Sequence, residues 1–306
     1  MNIMFHCLRL QPNPRNEMVH MDDIHQKNTQ YWRNYWDEIT SKTIRYGPMN
    51  ATFWDSMSKR FVRNRTPERE SDRFNGFFNL IKTTGLDIDG AYVLDIGAGT
   101  GSLSIPLAKM GAKVTSLDFS EGMLNNLKQR AETENVKIDN IIQRSWDEVD
   151  LDAEGFREKF DLVIASMTPA VHNPQTFDRM MGASKKLCYY SGWVNRRWDN
   201  AYYDLYRELF NSEFQTGNHG IYIPFMYLYL QGYHPEIILK KDTWRNESTV
   251  DEMADTIASH FYSTSTIEPD IKSKIKGYLI HNGENGKYCE TSCSTSAMMV
   301  WDKLKK

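Results

Sequence analysis

The sequence predicts an α/β fold with a largely parallel sheet, and three observations support this prediction. Residues 91–96 form a short apolar run rich in branched side chains, which is typical of a buried strand. Glycines at positions 97, 99 and 101 follow, and residues 102–110 then have the pattern of a helix. Further strand and helix patterns alternate through residue 193, as expected where helices connect parallel strands.

Three amphipathic helices are predicted before this first strand. Apolar side chains recur at helical spacing over residues 22–43, 50–61 and 67–84. Asn50 is a candidate N-cap, and Gly85 follows the third helix. Residues 21–88 are therefore predicted to form an N-terminal helical segment. Residues 1–20 lack the apolar core of a secretory signal, and we expect a flexible tail or the product of an upstream start codon.

The rest of the chain predicts more strands and a helical region rich in aromatic residues. Strands are expected at residues 113–117, 138–143, 159–166, 186–193 and 236–240, with a last strand or hairpin at 288–301. Between residues 198 and 214, five aromatic residues fall four apart, which places them on one helical face. We predict an α/β core over residues 89–197, and over 198–306 the remainder of the sheet with a helical cap.

Composition excludes some classes of function. The net charge is −3, which argues against an extended nucleic-acid surface, and no apolar run approaches the length of a membrane span. The four cysteines are scattered and form no C-x-x-C pair, which favours free thiols and a cytoplasmic location. Because no histidine pair has the spacing of a strong metal site, no metal is predicted.

The stretch VLDIGAGTG, residues 93–101, carries the strongest functional signal. Its spacing is G-x-G-x-G, and Ser102 stands where a dinucleotide-binding turn has its last glycine. Asp95 would repel a pyrophosphate and attract an amine-bearing ligand. Asp118 ends the second strand, where a carboxylate can accept hydrogen bonds from a ribose. The sequence thus predicts a nucleoside ligand that carries an amine.

VLDIGAGTG and DFSEGML, residues 118–124, resemble two motifs of the class I S-adenosylmethionine-dependent methyltransferases. The resemblance implies a doubly wound, mostly parallel seven-stranded sheet of the Rossmann-like type over residues 91–241. It also implies S-adenosylmethionine as the cofactor and S-adenosylhomocysteine as the product. The cofactor-binding residues that follow from it are Asp95, Gly97, Ala98, Gly99, Asp118, Phe119, Met123, Ser145, Trp146 and Ser166.

One turn departs from the family pattern. After the third strand the family usually has an acid followed by a small residue, which hold the adenine edge, whereas this chain has Ser145 and Trp146. Either Ser145 or Asp147 could supply that contact. Trp146 could instead anchor a surface loop.

The resemblance also places the N-terminal helices over the cofactor and the acceptor. Tyr46, Trp54 and Trp193 are the expected substrate or lid contacts, although aromatic residues at helical spacing also pack into cores. His172 lies on the loop after the fourth strand and could act as a general base, or could be a loop histidine bonded to the backbone.

A methyltransferase acting on a small molecule is the favoured function. The alternatives are a methyltransferase of tRNA or protein and a protein that binds S-adenosylmethionine without transferring its methyl group. The acceptor and the oligomeric state stay open at this point.

Overall fold

A computed structural model of the 306-residue chain describes residues 21–42, 49–63, 66–214, 220–261 and 269–306. Three helices come first: α1 (Met21–Lys42), α2 (Ala51–Arg63) and α3 (Pro67–Thr83). The predicted tail at residues 1–20 and Tyr46 lie outside the described residues.

Strands and helices then alternate, as the sequence predicts. The core elements are β1 (Tyr92–Ile96), α4 (Ser104–Lys109), β2 (Lys113–Asp118), α5 (Glu121–Thr133), β3 (Asn140–Gln143), β4 (Phe160–Ser166), α6 (Pro174–Ala183) and β5 (Ser184–Arg197). The later elements are α7 (Asn200–Phe210), α8 (Tyr222–Leu230), β6 (Glu236–Thr249), α9 (Val250–Phe261), α10 (Pro269–Asn282) and β7 (Lys287–Asp302).

The strands form one seven-stranded sheet in the order β3-β2-β1-β4-β5-β7-β6. The first five strands are parallel, and β7 runs antiparallel to both β5 and β6. One face packs against α1, α6 and α8, and the other against α3 and α4. The predicted seven-stranded, mostly parallel, doubly wound sheet is confirmed.

Burial on both faces explains why the central strands are continuously apolar. In β4, the four residues from Leu162 to Ala165 are all fully buried. Two of the helices that follow the parallel strands, α5 and α6, begin at capping side chains. Ser120 accepts a hydrogen bond from the Met123 amide at the start of α5, and Asn173 forms a capping box with Thr176 at the start of α6.

Strands β5 and β6 extend well past their predicted ends at residues 193 and 240, whereas β7 matches its predicted range of 288–301 to within one residue at each end. β4 ends opposite Ser191, whereas β5 continues to Arg197 alongside β7, and β6 continues to Thr249. In the extension of β6, half-buried and exposed residues alternate. Because many of these residues are polar, the sequence contains no apolar run that would predict a strand there.

Three helices pack together on this extension. α7, α9 and α10 share an apolar cluster with Tyr288 of β7, which includes Leu205, Met253, Ile257 and Leu279. α8 instead packs on the core, where Trp32 of α1 donates a hydrogen bond to the carbonyl of Ile223 at 2.9 Å. The predicted boundary at residue 198 stays a prediction. Throughout the part of the chain that the structure describes, no helix combines the length and apolar character needed to cross a bilayer.

Candidate active site

The glycine turn after β1 has a backbone that few other residues tolerate. Gly97 and Gly99 have φ angles of +67° and +55°. A Cβ atom on Gly97 would lie 2.0 Å from the side-chain oxygen of Thr168, whereas one on Gly99 would meet no protein atom within 4 Å. Glycine is therefore required at position 97 both because the φ angle is positive and because Thr168 leaves no room for a side chain. Gly99 leaves the surface of the turn open beside it.

The backbone amides of Gly97, Ala98 and Gly99 donate hydrogen bonds within the protein itself. The amides of Gly97 and Ala98 donate to the carbonyl of Leu117 at 2.7 and 3.0 Å. The amide of Gly99 donates to a carboxylate oxygen of Asp118 at 2.8 Å. These bonds tie the turn to the end of β2. What the turn offers a ligand is its bare Cα surface.

Asp118 lies where the sequence predicts, at the carboxyl end of β2, and is 7% exposed. Its second carboxylate oxygen accepts a hydrogen bond from the amide of Ser120 at 2.9 Å. Burial raises the pKa of Asp118, and the donated backbone hydrogen bonds oppose that shift. Each carboxylate oxygen can accept a further hydrogen bond, so Asp118 can still bind the hydroxyls of a sugar.

Asp95 lies deeper than Asp118, under the turn. It is 3% exposed and accepts a hydrogen bond from the hydroxyl of Ser104 at 2.6 Å. Ser116 in turn donates to the Ser104 hydroxyl at 2.8 Å. Burial raises the pKa of Asp95 to about 7, and the nearby carboxylate of Asp118 also raises it. A cationic ligand above the turn would favour the ionised form of Asp95.

This raised pKa predicts a specific dependence of stability on pH. An aspartate in the unfolded chain has a pKa of about 3.9, so between about pH 4 and pH 7 the folded state holds the Asp95 proton more tightly. The contribution of Asp95 to the free energy of unfolding therefore falls as the pH rises through that window. For the Asp95→Asn variant, we expect unfolding by urea to show a gain in stability over the wild type that grows from pH 4 to pH 7. A difference in the free energy of unfolding between variant and wild type that stays constant from pH 4 to pH 7 would contradict the raised pKa of Asp95.

A narrow cleft connects the turn with the ends of the neighbouring strands. Its lining comes from Met49, Gly97, Leu117, Asp118, Phe119, Arg144, Ser145, Trp146, Asp147, Thr168, Pro169 and Ala170. Its volume is about 60 Å³, well below the roughly 300–1,000 Å³ that is typical of small-molecule sites. Entry of a nucleoside therefore requires side chains that line the cleft, such as Thr168 or Met49, to move.

Five of the ten predicted cofactor residues line this cleft: Gly97, Asp118, Phe119, Ser145 and Trp146. Asp95, Ala98 and Met123 are buried, and the hydroxyl of Ser166 lies 3.0 Å from that of Ser191. Asp147 lines the cleft together with Ser145, so both alternatives for the adenine contact remain open.

Trp146 belongs mainly to the core. It is 2% exposed, and its indole nitrogen donates to the carbonyl of Thr176 at 3.0 Å. The carbonyl of Trp146 accepts a hydrogen bond from Arg179 at 2.8 Å. The ring therefore forms a fixed wall of the cleft and is not a loop anchor at the surface.

His172 lies beside the cleft and is not among the residues that line it. Its side chain is 11% exposed, with Nδ1 3.1 Å from the carbonyl of Pro169 and Nε2 3.3 Å from the amide nitrogen of Asn173. The carbonyl of His172 accepts hydrogen bonds from Trp36 and Thr40 of α1. Nε2 also lies 3.7 Å from a carboxylate oxygen of Asp147, which lines the cleft. The role of His172 as a general base stays a prediction.

Helix α2 docks next to the cleft through a residue that the sequence analysis missed. A carboxylate oxygen of Asp55 accepts hydrogen bonds from the Ser120 hydroxyl at 2.6 Å and from the Gly122 amide at 2.9 Å. Asp55 thereby holds the first turn of α5, immediately after Asp118. No sequence motif marks it, because its partners are 65 and 67 residues away.

The two remaining lid candidates lie outside the cleft lining. Trp54 packs edge-on against Phe53 and Phe61 within α2. Trp193 lies on β5, where its carbonyl accepts a hydrogen bond from the amide of Ile221 at 2.8 Å, and Arg196 lies 5.4 Å from its ring. Within the described segments, no cluster of three or more His, Cys, Asp or Glu side chains could hold a metal ion.

The sequence was compared with models of known protein families, and one of them matches the segment that carries this site. A family model described as a methyltransferase domain matches residues 93–188, which contain the glycine turn, Asp118 and the loop after β4. Residues 93–188 are thus similar to a methyltransferase domain. The resemblance inferred from the two motifs is confirmed for this segment.

Individual relatives match this chain over short stretches. A ubiquinone biosynthesis O-methyltransferase of Ruegeria is 32% identical over 103 residues, which is 32% of this chain and 42% of the relative. The enzyme of the same name from Coxiella burnetii is 43% identical over 53 residues, covering 17% of this chain and 23% of the relative. The chain thus spans less than half the length of these relatives.

Among solved structures, the chain is similar to magnesium protoporphyrin IX methyltransferase from Synechocystis with bound S-adenosylhomocysteine. The two are 16% identical, and the TM-score is 0.44 over 89% of this chain and 98% of the other.

Proposed function

We propose that this protein transfers a methyl group from S-adenosylmethionine to a small-molecule acceptor. The observation that carries the proposal is the cleft of the methyltransferase domain, where the glycine turn, Asp118 and Phe119 meet. The open side of Gly99 fits the close approach of a ligand. Asp118 would accept hydrogen bonds from the ribose, Phe119 would cover one face of the adenine, and Ser145 or Asp147 would contact its edge.

The protein's main task in this reaction is to orient two partners and to exclude water. When bound, the cofactor supplies a methyl group already activated by a positively charged sulfur. Correct positioning can supply about 7–11 kcal/mol of barrier reduction. Asp95 and Asp118 favour the positively charged ligand electrostatically, and Asp55 holds α2 beside it.

The acceptor is proposed to bind between the cofactor cleft and the helices on the extended strands. β5 continues past the end of β4, so α7 and α9 lie beyond the edge at which the parallel strands end. Phe53 of α2 lies 6.3 Å from the ring of His260, which lies 4.9 Å from Trp198. These rings connect α2 with α9 and with the residues just before α7. Aromatic faces also attract a desolvated cation.

A small molecule is favoured over tRNA because the net charge is −3, without the basic excess that nucleic-acid binding favours. Two relatives are named for O-methylation in ubiquinone biosynthesis, which makes phenols the first acceptors to test. A cytoplasmic location is part of this proposal. Cys188, Cys289 and Cys293 are free thiols, which is the usual state in that compartment.

Incubation with donor labelled on the methyl group and pooled metabolites tests the proposal. We expect label in a small-molecule fraction that includes hydroxylated aromatics, and much less of it when the Asp118→Ala variant is used at the same subsaturating donor concentration. Binding of the donor without transfer to any fraction would favour a protein that only binds it. Label in tRNA or protein, with retention of the enzyme on heparin at moderate salt, would favour the macromolecular alternative.

A further inference from the structure

The outer edge of the sheet carries an exposed apolar segment that methyl transfer does not use. β6 is the last strand of the sheet and pairs only with β7 among the described residues. Three consecutive residues of this strand, Ile237, Ile238 and Leu239, are 40%, 42% and 62% exposed. Exposed edge strands invite pairing with another strand, and most proteins shield them.

The register with β7 assigns each residue of this segment to a face of the sheet. Ile237 and Leu239 pair with Met299 and Ala297, which belong to the face covered by α1, α6 and α8. Ile238 pairs with Met298, which packs on the α3 face. Glu236 and Lys240 lie on that α3 face too, since alternate residues of a strand share a face.

Both charged residues already touch α3 of their own chain. Glu236 accepts a hydrogen bond from the hydroxyl of Thr83 at 2.7 Å. Lys240 forms an ion pair with Asp72 and lies 3.8 Å from Asp242. These contacts hold the two side chains on the α3 face, four residues apart along the strand and on either side of Ile238.

We compare the three registers in which β6 of one copy pairs with β6 of a second copy around Ile237, Ile238 or Leu239. Only one of them pairs complementary side chains. A two-fold axis normal to the sheet relates the two copies and keeps each face of the sheet on the same side. Since residues that lie opposite each other share a face, an antiparallel pair of identical strands related in this way has one residue opposite itself. With Ile238 at the centre, Ile237 lies opposite Leu239 and Glu236 lies opposite Lys240. With Leu239 at the centre, Glu236 would instead face Asp242, a like-charged pair that destabilises a sheet.

With Ile237 at the centre, Glu236 would lie opposite Ile238, so a carboxylate would face an apolar side chain and no pair of opposite charges would form. The register centred on Ile238 therefore pairs apolar with apolar residues and places opposite charges across the interface twice. We propose that β6 pairs with β6 of a second copy of this chain, centred on Ile238, to form a homodimer with a continuous sheet. This inference is independent of the proposed methyl transfer.

The mass in solution tests the dimer. Analytical ultracentrifugation of the full chain should give twice the chain mass, and Ile238→Lys should reduce it to the mass of one chain, because two ammonium groups would meet at the axis. Circular dichroism and the unfolding temperature establish that this variant is folded. A wild type that sediments as one chain at all concentrations up to tens of micromolar would overturn the proposal.

A charge exchange tests the register. Glu236→Lys and Lys240→Glu should each weaken the dimer at least several-fold, because each creates two like-charged pairs, and the double variant should restore it at least in part. Lys241→Glu is the matched control, since this neighbouring lysine lies on the other face and opposite Pro235 of the second copy. Equal weakening by Lys241→Glu would overturn the register.

Disulfide cross-linking reports directly which residues lie opposite each other in the dimer. A cysteine at position 238 would lie opposite itself, with Cα atoms about 4.5–5.5 Å apart, which a disulfide can span. Mild oxidation should link Ile238→Cys into a dimer. Leu239→Cys should give no more cross-linked dimer than the wild type, which itself has exposed thiols at Cys289 and Cys293. Stronger cross-linking of Leu239→Cys than of Ile238→Cys would contradict the register centred on Ile238.

Discussion

Replacing Asp118 with alanine is expected to weaken the binding of S-adenosylhomocysteine by about 30- to 100-fold. Asp118 is 7% exposed in the cleft and can accept hydrogen bonds from both ribose hydroxyls. A hydrogen bond to a charged group contributes about 1.5–3 kcal/mol, and 1.4 kcal/mol is about a tenfold change in affinity. The variant also loses the acceptor for the Gly99 amide, which loosens the turn.

Titration calorimetry with S-adenosylhomocysteine measures this effect. Glu121→Gln is the matched control: it removes one negative charge three residues away, from an exposed position at the start of α5. We expect the control to bind within about twofold of the wild type, since charges at the surface contribute little. Equal affinities for wild type and Asp118→Ala, with both proteins folded, would remove Asp118 from the site.

Gly97→Ala is expected to have the largest effect on stability among substitutions in the turn. The new methyl group would lie 2.0 Å from the side-chain oxygen of Thr168 and 2.7 Å from its Cβ atom, at a φ of +67°. The left-handed conformation alone costs a non-glycine residue about 1–2 kcal/mol, and moving the chain at Thr168 adds to it. We expect a loss of more than about 3 kcal/mol in the free energy of unfolding.

Gly99→Ala is the matched control for this prediction. Its φ of +55° imposes a similar backbone cost, but its methyl group would meet no protein atom within 4 Å. The loss of stability should therefore be only about 1–2 kcal/mol. If a ligand covers this open position, Gly99→Ala should weaken the binding of S-adenosylhomocysteine more than its loss of stability explains. A Gly97→Ala variant as stable as Gly99→Ala would contradict the packing of Thr168 on the turn.

The sequence predicts those parts of the site that depend on short stretches of chain. The strand β1, the glycines and Asp118 lie within 27 residues, and the parallel pairing of β1 with β2 brings them together. Asp55 and Thr168 were missed because they reach the turn from distant elements, without a motif of their own. The bonds of the turn amides to Leu117 also depend on this pairing.

The extended strands show a second limit of reading a sequence. Continuous apolar runs mark the buried strands β1 and β4 well, because both of their faces are covered. The outer halves of β5 and β6 lie in a ribbon with polar residues on both faces, so their pattern resembles that of a loop. Only the pairing of β6 with β7 from Glu236 to Thr249 reveals them.

A crystal structure grown with saturating S-adenosylhomocysteine tests the central claim most directly. We expect electron density in a widened cleft, with the ribose hydroxyls on Asp118, the adenine beside Phe119 and the amino-acid end over Gly97 and Gly99. Thr168 or Met49 should be displaced from its position in this structure. Density for the ligand at another place, with Thr168 still packed on Gly97, would contradict the account.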